Sequence, residues 1–284
     1  MSEFTSAYLD EAGRPRIRES IVAFIDILGF SQASMSCATI EESQRLLDKI
    51  ASAIEDSRGF VRQSFADDGN VRKNQWATKF FSDNLAFGFP LDETTIDNAS
   101  SALFIIRCAQ RYQLGMVMNG LFVRGALTQG PICLTDEIIF GSALIECYQL
   151  ESKASIVPRV VLAEPLQQLV TTFHRAQTNQ DGAEDRVDQA ICRDVDGWWF
   201  VNYLDATRDS RGVQWKLIDQ HKASILNSLS QTTRHDVLPK YGWACRYHNV
   251  FCHWHRDDPG YSDHYRISRV DEHSTIYRLN DAKK

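Results

Sequence analysis

Asp26 stands inside an apolar run, IVAFIDILGFS, at residues 21–31. A lone carboxylate among Ile, Val and Phe is costly to bury, so it needs a partner. Asp83 is the second acid with a defined setting: Ser82-Asp83-Asn84 has turn composition and joins two short apolar segments within WATKFFSDNLAFGFP. The end of one strand and a hairpin turn beside it can meet at one edge of a sheet. Two carboxylates converging there, next to backbone carbonyls, make a hard-oxygen site suited to Mg²⁺ or Mn²⁺. Two metals so held can activate an attacking oxygen and clamp a triphosphate. The plainer reading makes Asp26 a turn cap and Asp83 a solvated hairpin residue, and spacing alone favours it, because Asp is common in turns.

The elements that must position these acids follow from the pattern of residues. Residues 21–27, β-branched and aromatic, predict a buried strand that Gly29 ends. TIEESQRLLDKIASAIEDS predicts a helix: Thr39 and Glu42 form a capping box, and Ile40, Leu46, Leu47, Ile50 and Ile54 recur at helical spacing. Residues 58–74 are polar and predict a loop. NASSALFIIRCAQRYQLGMVMNG predicts a helix with one apolar face, LFVRGALTQGPI a strand, IIFGSALIECYQLESKA a short strand running into a helix, and PRVVLA a strand. AICRDVDGWWFVNY predicts a hairpin about Asp196-Gly197, with Trp198 and Trp199 packing it. Two helices are expected beyond residue 211. The order implies an α+β chain whose core is a ferredoxin-like, antiparallel-rich sheet with helices on one face. The expected division is a lead-in at 1–20, a catalytic domain at 21–205, and a C-terminal helical extension at 206–284 packed on it.

The runs FIDILGFS, KFFSDN and FVRGALTQGPI…FGSALIECYQLE occur in that order. With them the chain resembles the class III nucleotidyl cyclases over residues 21 to about 162. The spellings FGSAL…CYQLES…PRVV and KYGWACRYHN are similar to the pyrimidine cyclases of bacterial Pycsar anti-phage systems, which make cyclic CMP or cyclic UMP. The resemblance implies that Asp26 and Asp83 hold two divalent ions, Mn²⁺ or Mg²⁺, with the Ile27 carbonyl as a backbone ligand. It implies that Arg124 grips the triphosphate and that Lys79 reads the base. It also implies a homodimer with shared sites, because one subunit brings the metal carboxylates and its neighbour brings the lysine. A separate cyclic-nucleotide-sensing effector would read the product.

The chain also departs from that pattern. The helix positions where adenylate cyclases carry a transition-state Asn and Arg are Ile145 and Gln149 here. Tyr148, Lys153 and Arg159 are nearby candidates for the missing role, and the sequence does not choose among them. Tyr148 is equally suited to packing. The position of the usual adenine-reading Asp is Ile138, although Asp136 and Glu137 just precede it. Lys79 offers only donors, and an apolar Ile138 leaves an exocyclic amine unpaired, at about 1–3 kcal/mol. The residues therefore lean to UTP, with cyclic UMP as product. Cytidylate, adenylate or guanylate cyclase activity are the alternatives, as is an inactive cyclase-like binding module.

Composition limits the remaining classes. The chain has 284 residues, 43% hydrophobic and 24% charged, enough for a real core. A net charge of −6 does not suggest a nucleic-acid-binding face. No apolar run approaches a membrane span, and the polar start lacks a signal-peptide segment. Seven cysteines without a disulfide-like framework fit a reducing cytoplasm. Cys245, His248, Cys252 and His255 have ligand types that suit zinc, but their run reads as one uninterrupted helix packing Trp243, Tyr247, Val250 and Phe251.

Overall fold

The structure is a computed structural model, and it describes residues 5–67, 76–91, 98–178, 189–232, 234–268 and 276–278. In chain order the first part holds β1 (Arg18–Ile27), α1 (Phe30–Met35), α2 (Ile40–Asp67), β2 (Ala77–Phe81), β3 (Asn84–Pro90), α3 (Asn98–Met118) and β4 (Val123–Leu134). Then come β5 (Ile139–Phe140), α4 (Ser142–Lys153), β6 (Val160–Leu162), α5 (Glu164–Thr178), β7 (Ile191–Arg193) and β8 (Trp199–Val201). The small pair β9 (Arg208–Asp209) and β10 (Gly212–Val213) leads to α6 (Trp215–Ser230), α7 (Leu238–Trp254) and β11 (Tyr277–Arg278).

The main sheet runs β11-β7-β8-β6-β4-β1-β3-β2, with β5 paired to β4. Its heart, β4-β1-β3-β2, has every neighbouring pair antiparallel. With helices between β1 and β2 and between β3 and β4, this is the ferredoxin-like β-α-β-β-α-β arrangement expected from the sequence. The β4–β6 pair is parallel.

β1 is central, and its period-two alternation splits the core. Ile21, Ala23, Ile25 and Ile27 join a cluster with residues of α2 and α3, such as Ile50, Ala53, Leu103 and Ile106. Val22 and Phe24 face the other way, into a cluster with Cys147 of α4, Phe200 of β8, and Trp243 and Tyr247 of α7. Gly125 of β4 lies opposite Ile25, where a Cβ would stand 2.3 Å from the Phe24 carbonyl oxygen, so only glycine lets the two strands pair there.

Several expectations are met. The capping box forms with a shifted return arm: the Glu42 N–H donates to Thr39 Oγ1 at 3.2 Å, and the Glu42 carboxylate accepts from the Ala38 N–H at 2.6 Å. The hairpin about Asp196-Gly197 joins β7 and β8. Other expectations are corrected. The first strand starts at Arg18, because the chain before Ile21 continues the ladder with Pro131 and Ile132. The predicted loop at 58–74 is helix as far as Asp67, and residues 68–74 of that stretch lie outside the described residues. Arg58 and Arg62, both exposed on α2, pair with Glu55. The inner face packs on α3 so closely that a Cβ on Gly115 would stand 2.7 Å from Ser57 Oγ. α3 is buried on most of its circumference, not one face, because α2, α5, α6 and the sheet all contact it.

The C-terminal helices join the same core. Tyr247 packs on Tyr203 at 5.0 Å between ring centroids and Trp243 on Phe200 at 5.4 Å. Trp243 Nε1 donates to Asp194 at 2.7 Å. No described helix is long and apolar enough to cross a membrane.

Candidate active site

Asp26 is the last-but-one residue of β1 and has Asn84 of β3 and Arg124 of β4 as its lateral neighbours. The Ile27 N–H donates to the Asp83 carbonyl at 3.2 Å, which ties the hairpin turn to the strand end. Gly29, at φ 82°, then turns the chain away, a conformation that favours glycine. The two carboxylates predicted to converge do so: Asp26 and Asp83 line one cleft at the end of β1, side chain beside side chain. Burial, followed by the neighbouring Asp83 side chain, raises the Asp26 carboxyl to about 7, and Arg124 opposes the shift. Asn84 Nδ2 donates to Asp83 at 3.1 Å.

Arg124 spans two acids. Its Nε donates to Asp26 Oδ2 at 3.0 Å. Its other arm lies 2.7 Å from Glu151 Oε1, close enough for an ion pair but not aligned as a hydrogen bond. Glu151 is only 4% exposed. It completes the acid cluster, and the sequence reading missed it. Its signal was its place in the run CYQLE, one turn after Tyr148 on α4, facing back toward the sheet.

These groups line a cleft of about 730 Å³. Its apolar wall is Phe24, with Phe81 at 6.2 Å and Tyr148 edge-on at 5.9 Å between centroids. Ile145 and Tyr148 line it and are largely exposed, and Gln149 is exposed beside them. From the far end of the chain Arg234, Asp236 and Lys240 reach the same cleft, which nothing in the local sequence announces.

Lys79 and Ile138 are elsewhere. Lys79 Nζ donates to the Asp136 carbonyl at 2.7 Å. Ile138, 45% exposed, closes the β4–β5 turn, its carbonyl accepting from the Thr135 N–H at 2.8 Å. One chain therefore carries two separate groupings, the acidic cleft and the Lys79–Asp136–Ile138 corner. Asp136, Thr135 and Thr78 also border a cavity of about 600 Å³ on the α2–α3 side of the sheet.

Of the candidates for the missing Asn and Arg, Arg159 is removed. It is 1% exposed, ion-paired to Asp194 and Asp196, and donates to the Ala154 carbonyl at 2.8 Å. Lys153 ends α4 exposed and does not line the cleft. Tyr148 does.

The zinc-like set is held mainly by other partners, with one contact inside it, Cys252 Sγ 3.7 Å from His248 Nε2. His248 Nε2 lies 2.8 Å from the Tyr265 carbonyl, and its Nδ1 lies 2.9 Å from Nδ1 of His221. A carbonyl only accepts, so His248 carries its proton on Nε2 and its Nδ1 accepts a hydrogen bond from the His221 Nδ1–H, while His221 Nε2 accepts from Tyr203 Oη at 2.8 Å. His255 pairs with Asp258 at 2.9 Å. Among the described residues no group of three or more His, Cys, Asp and Glu could hold a metal ion. Asp26 and Asp83 are a pair, short of that number, and their fit to a hard divalent cation rests on their carboxylate oxygens.

No protein-family model matches the chain, and no curated protein matches it. Solved structures do. The adenylyl cyclase CyaB from P. aeruginosa is 16% identical, with 66% of this chain and 94% of that one covered, at a TM-score of 0.45. The monomeric guanylyl cyclase domain of the RhoGC fusion protein from the aquatic fungus Blastocladiella emersonii is 12% identical, with 66% and 96% covered, at 0.40. A class III adenylyl cyclase-like ATP-binding protein from Pseudomonas aeruginosa is 17% identical, with 54% and 35% covered, at 0.39.

Proposed function

We propose that the chain is a nucleotidyl cyclase that converts UTP to 3′,5′-cyclic UMP and pyrophosphate, with residues 21–205 as its catalytic domain. The observation that carries this reading is the Asp26–Asp83 carboxylate pair, with Arg124 bonded to Asp26. Divalent ions bound there would lower the pKa of the ribose 3′-hydroxyl and offset phosphate charge. Asp26 and Asp83 would hold them through their carboxylate oxygens, and the Ile27 carbonyl at the strand end would be a further hard oxygen. Arg124 turns its bidentate guanidinium from the acids to the phosphates. Phe24, Phe81 and Tyr148 line the cleft with apolar surface that excludes water.

The base would meet Lys79 and Ile138. Because these lie apart from the acidic cleft, one complete site takes its halves from two chains, and a closed two-fold dimer gives two such sites. The exposed Ile138, Phe140, Ile145 and Tyr148 supply apolar surface for that contact. One Lys79 N–H is spent on the Asp136 carbonyl; the others suit the carbonyl edge of uracil. The Pycsar-like spelling and the free cysteines support a cytoplasmic second-messenger synthase in anti-phage defence, with a separate effector reading the product.

The test is to incubate the purified chain with UTP and Mn²⁺ and identify the product by mass and by released pyrophosphate. Cyclic UMP that disappears in Asp83→Asn supports the reading. No cyclic product, or equal product from Asp83→Asn, overturns it.

A further inference from the structure

The acidic cleft has a wall that comes from the α6–α7 connection and the first turn of α7. Its charged groups differ in what they already hold. Arg234 is bonded to Asp236 through Nε at 2.9 Å and through a second arm at 2.5 Å. Arg124 is held by Asp26 and Glu151. Lys240 has no hydrogen bond or ion pair from its ammonium among the described residues. It is half-buried. Burial, and then the nearby Arg124 charge, push its pKa down, while Asp26 and Asp236 pull it up. A half-buried cation beside another cation, with no carboxylate in ion-pair contact among the described residues, is an incomplete arrangement. An anion placed between Lys240 and Arg124 would complete it. Lys240 also sits in the first turn of a 17-residue helix, where the backbone dipole favours negative charge.

We propose that Lys240 is a polyphosphate-binding residue of the cleft, holding with Arg124 the triphosphate of the substrate and the pyrophosphate that leaves. A polyphosphate, with several charged oxygens along its length, can meet both cations at once. The C-terminal helices thereby furnish part of the site, and the cation lost from α4 at Ile145 and Gln149 is replaced from α7. This inference rests on the nucleotidyl cyclase reading for the identity of the substrate, but not for the binding of the anion.

The experiment titrates the full chain with inorganic tripolyphosphate by calorimetry, without nucleotide, and then measures kcat and KM with UTP. Lys240→Gln should weaken tripolyphosphate at least tenfold and raise KM more than it lowers kcat. Lys240→Arg should restore binding to within about threefold, as expected of a charge contact. Both variants should keep the wild-type melting temperature. If Lys240→Gln melts early, Lys240→Arg against Lys240→Met at a temperature where both are folded decides the matter by the same ratio. Wild-type protein that does not bind tripolyphosphate, or a Lys240→Gln variant that binds it as tightly as wild type, overturns the proposal. If the Lys240-dependent binding is present but no nucleotide is cyclised, the cyclase reading fails and the anion subsite stands. If cyclisation proceeds and the variant matches wild type, the reverse holds.

Discussion

Arg124 Nε lies 3.0 Å from Asp26 Oδ2, and the opposite arm of the same guanidinium reaches Glu151. One cation therefore couples the end of β1, which carries Asp26, to helix α4, which lines the same cleft. Arg124 is about a quarter exposed, Glu151 almost none. Truncating one side leaves the other desolvated and unpaired. Glu151→Ala should destabilise the fold by about 1–3 kcal/mol, below the cost of breaking a fully buried pair because Arg124 keeps some water. Urea unfolding measures it, and no loss would show that the ion pair is incidental.

Asp26→Asn and Asp83→Asn test the acids separately from the fold. The amide nearly preserves shape but is a poorer ligand for a hard cation. Turnover should fall at least about a hundredfold, the scale of losing one preorganised electrostatic group. Melting temperatures should hold, and Asp26→Asn removes a carboxylate that burial already penalises. Unchanged product formation by Asp83→Asn at limiting Mn²⁺ would make Asp83 a turn residue.

The buried histidine chain sets a pH dependence. Burial holds His221 well below its ordinary value and His248 at about 4. Both are neutral when folded, whereas the unfolded chain binds protons below about pH 6.5. The stability they contribute is full above that value and lost as pH falls toward 4. Between pH 6.5 and 5 the loss is on the order of 2 kcal/mol per histidine. Asp26 and Asp205, raised to about 7 and about 6, act in the opposite direction over an overlapping range. The readout is therefore the difference between wild type and the double variant His221→Asn, His248→Gln. Wild type should lose more stability over that interval, and parallel pH curves would contradict the assignment.

How much of this was legible in the sequence varies by residue. Asp26 was visible because an acid inside IVAFIDIL contradicts its surroundings, and Asp83 because Ser82-Asp83-Asn84 has the chemistry of a turn. The long α2 was cut short in the sequence reading because its outer face is polar, and composition does not separate the wet side of a helix from a loop. The contact that reveals it, Ser57 against Gly115, joins distant parts of the chain. Arg159 looked available but is locked in a buried pair with Asp194 and Asp196. Glu151 had a local signal in CYQLE but not its partner, and Lys240 had none, because the tertiary approach of α4 and α7 to the end of β1 gives both their neighbours.

Separation of the two groupings within one chain predicts complementation. Asp26→Ala retains the Lys79 corner and Lys79→Ala retains the acidic cleft. Mixed after separate purification, the two inactive proteins should recover up to about a quarter of wild-type activity, through half of the dimers each bearing one intact site. Sedimentation showing an active monomer would contradict shared sites.

The most direct measurement places ATP, GTP, CTP and UTP at equal concentration in one tube with the purified chain and Mn²⁺, and separates the products by chromatography. The account predicts 3′,5′-cyclic UMP as the leading product, because Lys79 donates and Ile138 offers no acceptor for an exocyclic amine, and a site that leaves a polar group unpaired discriminates strongly. Faster conversion of CTP or ATP would contradict the choice of base, and the absence of any cyclic nucleotide would contradict the cyclase itself.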